Sequence, residues 1–290
     1  MSLLDFKLGP GLKLGPVCLR VNDLDLMLSF YEKECGLKAI KHDGNFTALA
    51  CGQSEQPILI LKRDEKALKP PADAAGLYHY ALLVPDRKSL AAAYVSLGNN
   101  GVVFDGYADH NVSEALYLSD PEGNGIEIYA DRPRSEWKFD DGELQMATQP
   151  LNLESIIREL PKAAGDELDG IAEGTRVGHV HLKVTDLQTS ITFYRNVLGL
   201  ELMSYLGSAA FLSVDGYHHH IGMNTWESLG GPRAKKSWLG LEYFVLSIPL
   251  TNLNELASRL GGNLSAQNEE APGKLVVSDP DDISLIFNAL

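Results

Sequence analysis

The chain of 290 residues is long enough for two ordinary domains, and its 44% hydrophobic and 22% charged content suits a globular protein that buries a core. Lys and Arg number 25 against 39 Asp and Glu, a formal net charge of −14, which repels phosphate backbones and anionic lipid and excludes nucleic acid and membrane as expected partners. Cys18, Cys35 and Cys51 are scattered without CxxC spacing, and the opening MSLLDFKLGPGLKLGP has no basic segment followed by an apolar one, so a reducing, cytoplasmic location is expected.

A first module, residues 13–63, opens on the alternating strand VCLRV (17–21), which runs into an acidic N-cap at Asp23. A helix with apolar residues three and four apart follows, and Gly36 suits the left-handed position that ends it. A second module, residues 77–130, continues with the strand and helix of LYHYALLVPDRKSLAAAYVSLG and closes on LSDPEGNGIEIYA, whose SDP is a turn between two strands. Next comes a polar connector, 131–176, with one short amphipathic helix, LNLESIIREL (151–160), stopped by Pro161.

The third module, 177–224, repeats the first: Asp186, Phe193, Tyr194, Gly199 and Leu200 each lie 163 positions after Asp23, Phe30, Tyr31, Gly36 and Leu37. The fourth, 240–289, repeats the second, LEYFVLSIPLTNLNELASRLG and VSDPDDISLIFNA standing for its two segments. Repetition of this kind outranks any local motif as a guide to architecture. The expected fold class is α+β: four βαβββ modules in two curved half-barrel sheet domains, 1–130 and 177–290, joined by the connector.

Metal-capable residues mark two of the four modules. Aligned on the Val or Ile before each helix, His79 matches His179, while the first and fourth modules carry Pro16 and Tyr243 there. Glu127 stands seven after Asp120 of its SDP turn, and seven after Asp279 is Ile286. Glu127 alternates with Ile126 and Ile128, so if those isoleucines pack under the helices, the carboxylate points into the concavity of the sheet. A carboxylate buried there needs a metal or a basic partner. Two imidazoles and one carboxylate, with other faces open, form the facial triad of non-haem Fe(II) sites. His181 shares a face with His179, and His42 lies in an exposed-looking turn with no assigned role.

The xHVxLxV strands, the DLxxSxxFYxxxLGL helices and the strand ending SDPEGNGIEIY resemble the vicinal oxygen chelate superfamily, which includes glyoxalase I, bleomycin-resistance proteins and extradiol ring-cleaving dioxygenases. The resemblance covers all four modules, and within the superfamily it is greatest to bacterial catechol-2,3-dioxygenase-like proteins. It implies iron held by His79, His179 and Glu127, with Mn(II) as the alternative metal. It further implies that Tyr117, ten residues before Glu127, and His110 in DHNVSEALY hydrogen-bond the substrate. By the same resemblance GYHHHIGMN (216–224) supplies an acid–base histidine at His219, although counting by alternation from Gly123 and Gly216 sets His220 opposite Glu127.

One departure from the family stands out. Two-domain extradiol enzymes build the iron site from their third and fourth modules, whereas here each half of the sequence holds an incomplete set: Pro16, His79 and Glu127 in one, His179, Tyr243 and Ile286 in the other. The second and third modules must therefore pair across the connector, or two chains of a homodimer must complete the site. The implied activity is ring cleavage of a catechol or hydroquinone-like aromatic with O2. The rivals are a glyoxalase I-like lyase or isomerase, with Zn or Ni and four ligands, and a metal-free ligand-sequestering protein of the bleomycin-resistance kind.

Overall fold

The computed structural model describes residues 6–140, 143–161, 170–261 and 274–290. The first module contains β1 (Lys13–Val21), α1 (Leu24–Ser29), β2 (Lys38–His42), β3 (Phe46–Ala50) and β4 (Leu59–Arg63). The second contains β5 (Gly76–Leu83), α2 (Arg87–Asn99), β6 (Phe104–Asp109), β7 (Ser113–Ser119) and β8 (Gly125–Asp131). The connector forms a short hairpin, β9 (Phe139–Asp140) with β10 (Glu143–Leu144), and one helix, α3 (Leu153–Ile157), shorter than the span 151–160 that its pattern suggests. The third module has β11 (Arg176–Lys183), α4 (Leu187–Thr192), β12 (Glu201–Tyr205), β13 (Ala209–Ser213) and β14 (Ile221–Asn224). The fourth has β15 (Gly240–Ile248), α5 (Leu250–Arg259), β16 (Leu275–Ser278) and β17 (Ser284–Ala289). The stretch 262–273, where a further strand of this module is expected, lies outside the described residues.

Local chemistry explains the repeated elements. Asp23 and Asp186 accept from the backbone N–H groups of Leu26 (2.9 Å) and Thr189 (2.6 Å), capping α1 and α4. Each helix widens in its last turn and stops at a glycine with positive φ, +72° at Gly36 and +81° at Gly199, where a side chain would be strained. The repeated tyrosines reach forward to the next module: Tyr31 Oη–H donates to Asp120 (2.8 Å) and Tyr194 Oη–H to Asp279 (3.1 Å). The last helical turn of one module is thus tied to the SDP turn of its sequence neighbour, and in the first module Glu122 also holds the helix start, accepting from the N–H groups of Asn22 and Asp23.

The sheets are built the other way round. An eight-stranded sheet runs β12-β13-β14-β11-β5-β8-β7-β6 and a seven-stranded one β16-β17-β15-β1-β4-β3-β2. The second and third modules share the first sheet and the first and fourth share the other, so each curled sheet draws on both halves of the sequence. The boundary at the connector marks the duplication and does not separate the sheets. In the eight-stranded sheet the join is the antiparallel pair β5–β11, with His79 opposite His181 and His179 opposite Ala81.

Alternation along these strands sorts the side chains. Tyr80, Leu82, Ile126, Ile128, Val180 and Leu182 enter one large apolar core shared with the helices and the other sheet. Ala81, Leu83 and Tyr129 form a small cluster on the opposite, concave face, with Tyr117 against it. Among the described residues no helix is long and apolar enough to cross a membrane.

Candidate metal centre

Because Ile126 and Ile128 bind β8 to the core, Glu127 is turned into the concavity, where it is 3% exposed. His79 on β5 and His179 on β11 are buried beside it. Glu127 Oε2 lies 2.9 Å from His79 Nε2 and 3.1 Å from His179 Nε2, and the two nitrogens are 3.4 Å apart. Neighbouring donors on one face of an octahedron with bonds of about 2.1 Å stand about 3 Å apart, so the three atoms have the separations a single ion requires. The three come from one chain. Of the two ways to complete the set, pairing across the connector is the one the fold adopts.

The electrostatics suit a cation. Burial pushes His179 down to about 4, only partly offset by Glu127, so its ring is neutral and offers a lone pair. Against the cost of its own burial, the adjacent imidazoles of His179 and His79 hold the Glu127 carboxyl well below the usual carboxylate range. His179 Nδ1 has no hydrogen-bond partner, and its ring is positioned by packing: the Tyr129 centroid is 4.9 Å away and that of His219 4.0 Å. Tyr129 Oη occupies the space that a Cβ at Gly178 would fill, which explains the glycine one residue before His179.

Beside the triad, with His79 and Glu127 in its wall, lies a cavity of about 500 Å³ also lined by His110, Tyr117, His181 and His219. His110 Nδ1–H donates to the Ala147 carbonyl (2.7 Å), so its Nε2 accepts the Tyr117 hydroxyl proton at 2.7 Å. Tyr117 stands directly opposite Glu127 in the β7–β8 ladder, and burial, then that carboxylate, pushes its hydroxyl well above the ordinary tyrosine value. His181 accepts from the Asn224 side-chain amide (3.0 Å).

Of the three consecutive histidines, His219 is the one whose ring lines the cavity. His220 is bonded to Ser213 Oγ (2.7 Å), away from Glu127. The alternation count that set His220 opposite Glu127 fails because residues 217–220, after the turn at Asp215 and Gly216, are irregular and the strand begins only at Ile221. His218 Nε2–H donates to the Asp131 carboxylate (2.9 Å), which leaves His218 Nδ1 to accept from His219 Nδ1–H (2.8 Å) and gives His219 Nε2 the free lone pair. Tyr217 Oη–H also donates to Asp131 (3.1 Å), fixing that carboxylate in turn. Neither Asp131 nor His218 is singled out by spacing; only the fold brings them behind His219.

A family model, the Glyoxalase/Bleomycin resistance protein/Dioxygenase superfamily, matches residues 13–128 and 176–247. The chain belongs to that superfamily. It is 38% identical over 272 residues, 92% of this chain and 93% of the other, to a catechol-2,3-dioxygenase of Bacillus subtilis (strain 168). Among solved structures it resembles a dioxygenase-like protein from the same species (TM-score 0.61, 13% identity, 98% of this chain and 86% of that one). It also resembles glyoxalase I from Zea mays (TM-score 0.54, 17% identity, 96% and 92%), and at these identities both likenesses speak for the fold alone.

Within this superfamily's repeated module, register identifies the residue that mirrors Glu127. Ala81, two after His79, pairs with Glu127; His181, two after His179, pairs with Gly222. A Cβ at Gly222 would lie 2.9 Å from His181 Nδ1, so the imidazole fills the place where a second carboxylate would begin. Among the described residues, the group of donors close enough to share one ion is His79, Glu127 and His179.

Proposed function

We propose that the chain is a metal-dependent extradiol-type dioxygenase that cleaves the ring of a small catechol or hydroquinone-like aromatic with O2. The observation that carries this reading is the convergence of two imidazole nitrogens and one carboxylate oxygen within 3.4 Å, beside a cavity and with Gly222 at the mirror position. Kinship at 38% identity with a catechol-2,3-dioxygenase supports an enzyme of that class. His79, Glu127 and His179 would hold Fe(II), or Mn(II) in its place. When bound, such an ion supplies Lewis acidity toward the substrate hydroxyls and one-electron chemistry toward O2.

The remaining steps belong to side chains. Tyr117 Oη, its own proton committed to His110, accepts a hydrogen bond from a ring hydroxyl as that group loses its proton. Charge can pass on to His110 Nε2, whose ring is anchored through Nδ1–H on Ala147. His219 Nε2, on the far side of His179 and backed by His218 and Asp131, takes up a proton and returns it as the ring opens. The apolar walls of the cavity exclude bulk water from the reacting atoms.

A glyoxalase I-like lyase with four ligands is disfavoured by Gly222, and a metal-free sequestering protein has no use for three converging donors. The test is anaerobic loading with Fe(II), then addition of catechol or hydroquinone in air while following O2 uptake and a yellow ring-cleavage product. Stoichiometric O2 consumption with product formation is expected. A fully loaded protein that consumes no O2 with any catechol or hydroquinone would overturn the assignment.

A further inference from the structure

The cavity carries a charge pattern beyond its donor atoms. Its walls include Tyr78, Met146, Leu206, Phe211 and Trp226, all apolar or aromatic. Among the described residues that line it there is neither Lys nor Arg, and the one carboxylate besides Glu127 is Asp105. Asp105 is fixed by the Ser119 hydroxyl, which donates to it at 2.7 Å.

Three cations on the neighbouring elements are engaged elsewhere, and Arg176, at the exposed start of β11, does not line the cavity. Arg87 pairs with Glu114 (2.6 Å) and Glu159 (2.7 Å), and Arg132 with Asp109 (2.6 Å) and Glu114 (3.0 Å). Lys183 on β11 donates to the Ala72 carbonyl (3.3 Å) and lies 3.8 Å from Glu227. The molecule as a whole, at a formal charge of −14, repels anions before they arrive.

We infer that the site selects aromatic diols whose ring substituents are uncharged and apolar, and rejects those bearing a carboxylate. The inference rests on the dioxygenase reading for the diol and adds what else the ring carries. A ring carboxylate on a diol seated at the triad loses water and meets no Lys or Arg in the cavity walls, with Asp105 as a further repulsive charge. An alkyl group meets Trp226 and Leu206, 52% and 56% exposed at the mouth, and covers apolar surface there.

The test is calorimetric binding to the Mn(II)-loaded full chain under nitrogen, where no turnover occurs. The probes are 3,4-dihydroxyphenylacetate, its amide and 4-ethylcatechol; acid and amide share a shape and differ in charge. The amide and the ethyl compound are expected to bind, and the acid roughly a hundredfold more weakly. Asp105→Asn, at an exposed residue, should recover only a few-fold for the acid, and 0.5 M salt should shrink that gain. Leu206→Arg should tighten the acid relative to the amide by about tenfold or more. Acid and amide binding within threefold of each other in the unaltered protein would overturn the inference, as would an unchanged ratio in Leu206→Arg. Absence of ring cleavage in air, with the binding order intact, strikes instead at the proposed reaction.

Discussion

The two sheets use one backbone device for opposite ends. In the eight-stranded sheet the β5–β11 ladder slips by one residue between His79–His181 and Leu77–Leu182, leaving Tyr78 as the extra residue. In the seven-stranded sheet the β15–β1 ladder slips at the corresponding place, between Tyr243–Cys18 and Leu241–Leu19, and the extra residue is Glu242. Tyr78 lines the cavity beside Trp226 and His181, with ring centroids 5.2 Å from each. Glu242 instead takes an ion pair from Arg20 and another from Lys62 (2.7 Å), while Arg20 also holds Asp64 at 2.8 Å. Where one sheet presents His79, His179 and Glu127, the other has Tyr243, Pro16 and Ile286. The pleat and the bulge provide the positions; the side chains decide whether a concavity becomes a site or is closed by an ion-pair cluster.

The largest expected contrast comes from one substitution in each sheet. Glu127→Gln should lower metal affinity by more than about 100-fold with little change in melting temperature, as judged by metal analysis after dialysis against a weak chelator. Arg20→Met should do the reverse. It leaves Asp64 and Glu242 without their guanidinium, costs roughly 3 kcal/mol in urea unfolding and leaves metal content unchanged. Loss of metal in Arg20→Met, or its retention in Glu127→Gln, would break the division between the sheets.

Next in size is His219→Ala, for which kcat is expected to fall by about 10²–10⁴-fold while metal content stays at the unaltered level. A loss of metal in step with activity would make His219 a ligand.

The paired SDP turns sharpen the comparison through pH. Burial, aided by the nearby Asp281 charge, pushes Asp279 from 3.8 up to about 7, and burial raises Asp120 as well. A carboxyl whose folded-state pKa is raised binds more protons folded than unfolded between those values, so its contribution weakens as pH rises from about 4 to 7. At 1.36 kcal/mol per unit this amounts to at most roughly 4 kcal/mol. Asp279→Asn should flatten the stability profile over that window; an unaltered slope would contradict the assignment. The smallest effect is expected from Tyr194→Phe, which removes one buried hydrogen bond for about 1–2 kcal/mol; Tyr31→Phe also strands the Tyr80 hydroxyl, which donates to Tyr31 Oη at 3.0 Å, and should cost about one such bond more, as read in urea unfolding.

Much of this was legible before any coordinates. The caps Asp23 and Asp186, the glycines Gly36 and Gly199 and the two SDP turns obey local rules, so the module boundaries follow from sequence. The facing of Glu127 follows from strand alternation with Ile126 and Ile128. What alternation cannot reach is residues 217–220, which are irregular, and contacts between distant segments, such as Asp131 behind His218. Gly222 carries no chemistry of its own, and only the register of β11 with β14 reveals it as the mirror of Glu127. The sequence halves likewise mislead about the sheets, because the Tyr–Asp ties join neighbours in the chain while the strand ladders join modules across it.

The most direct test is the anomalous difference map of crystals grown with Mn(II) or, without oxygen, Fe(II), read beside the metal-to-protein ratio in solution. One ion per chain, bonded to His79 Nε2, His179 Nε2 and a Glu127 oxygen of the same chain, is the predicted result. An ion held elsewhere, one shared between two chains, or a fully folded protein that takes up none would contradict it.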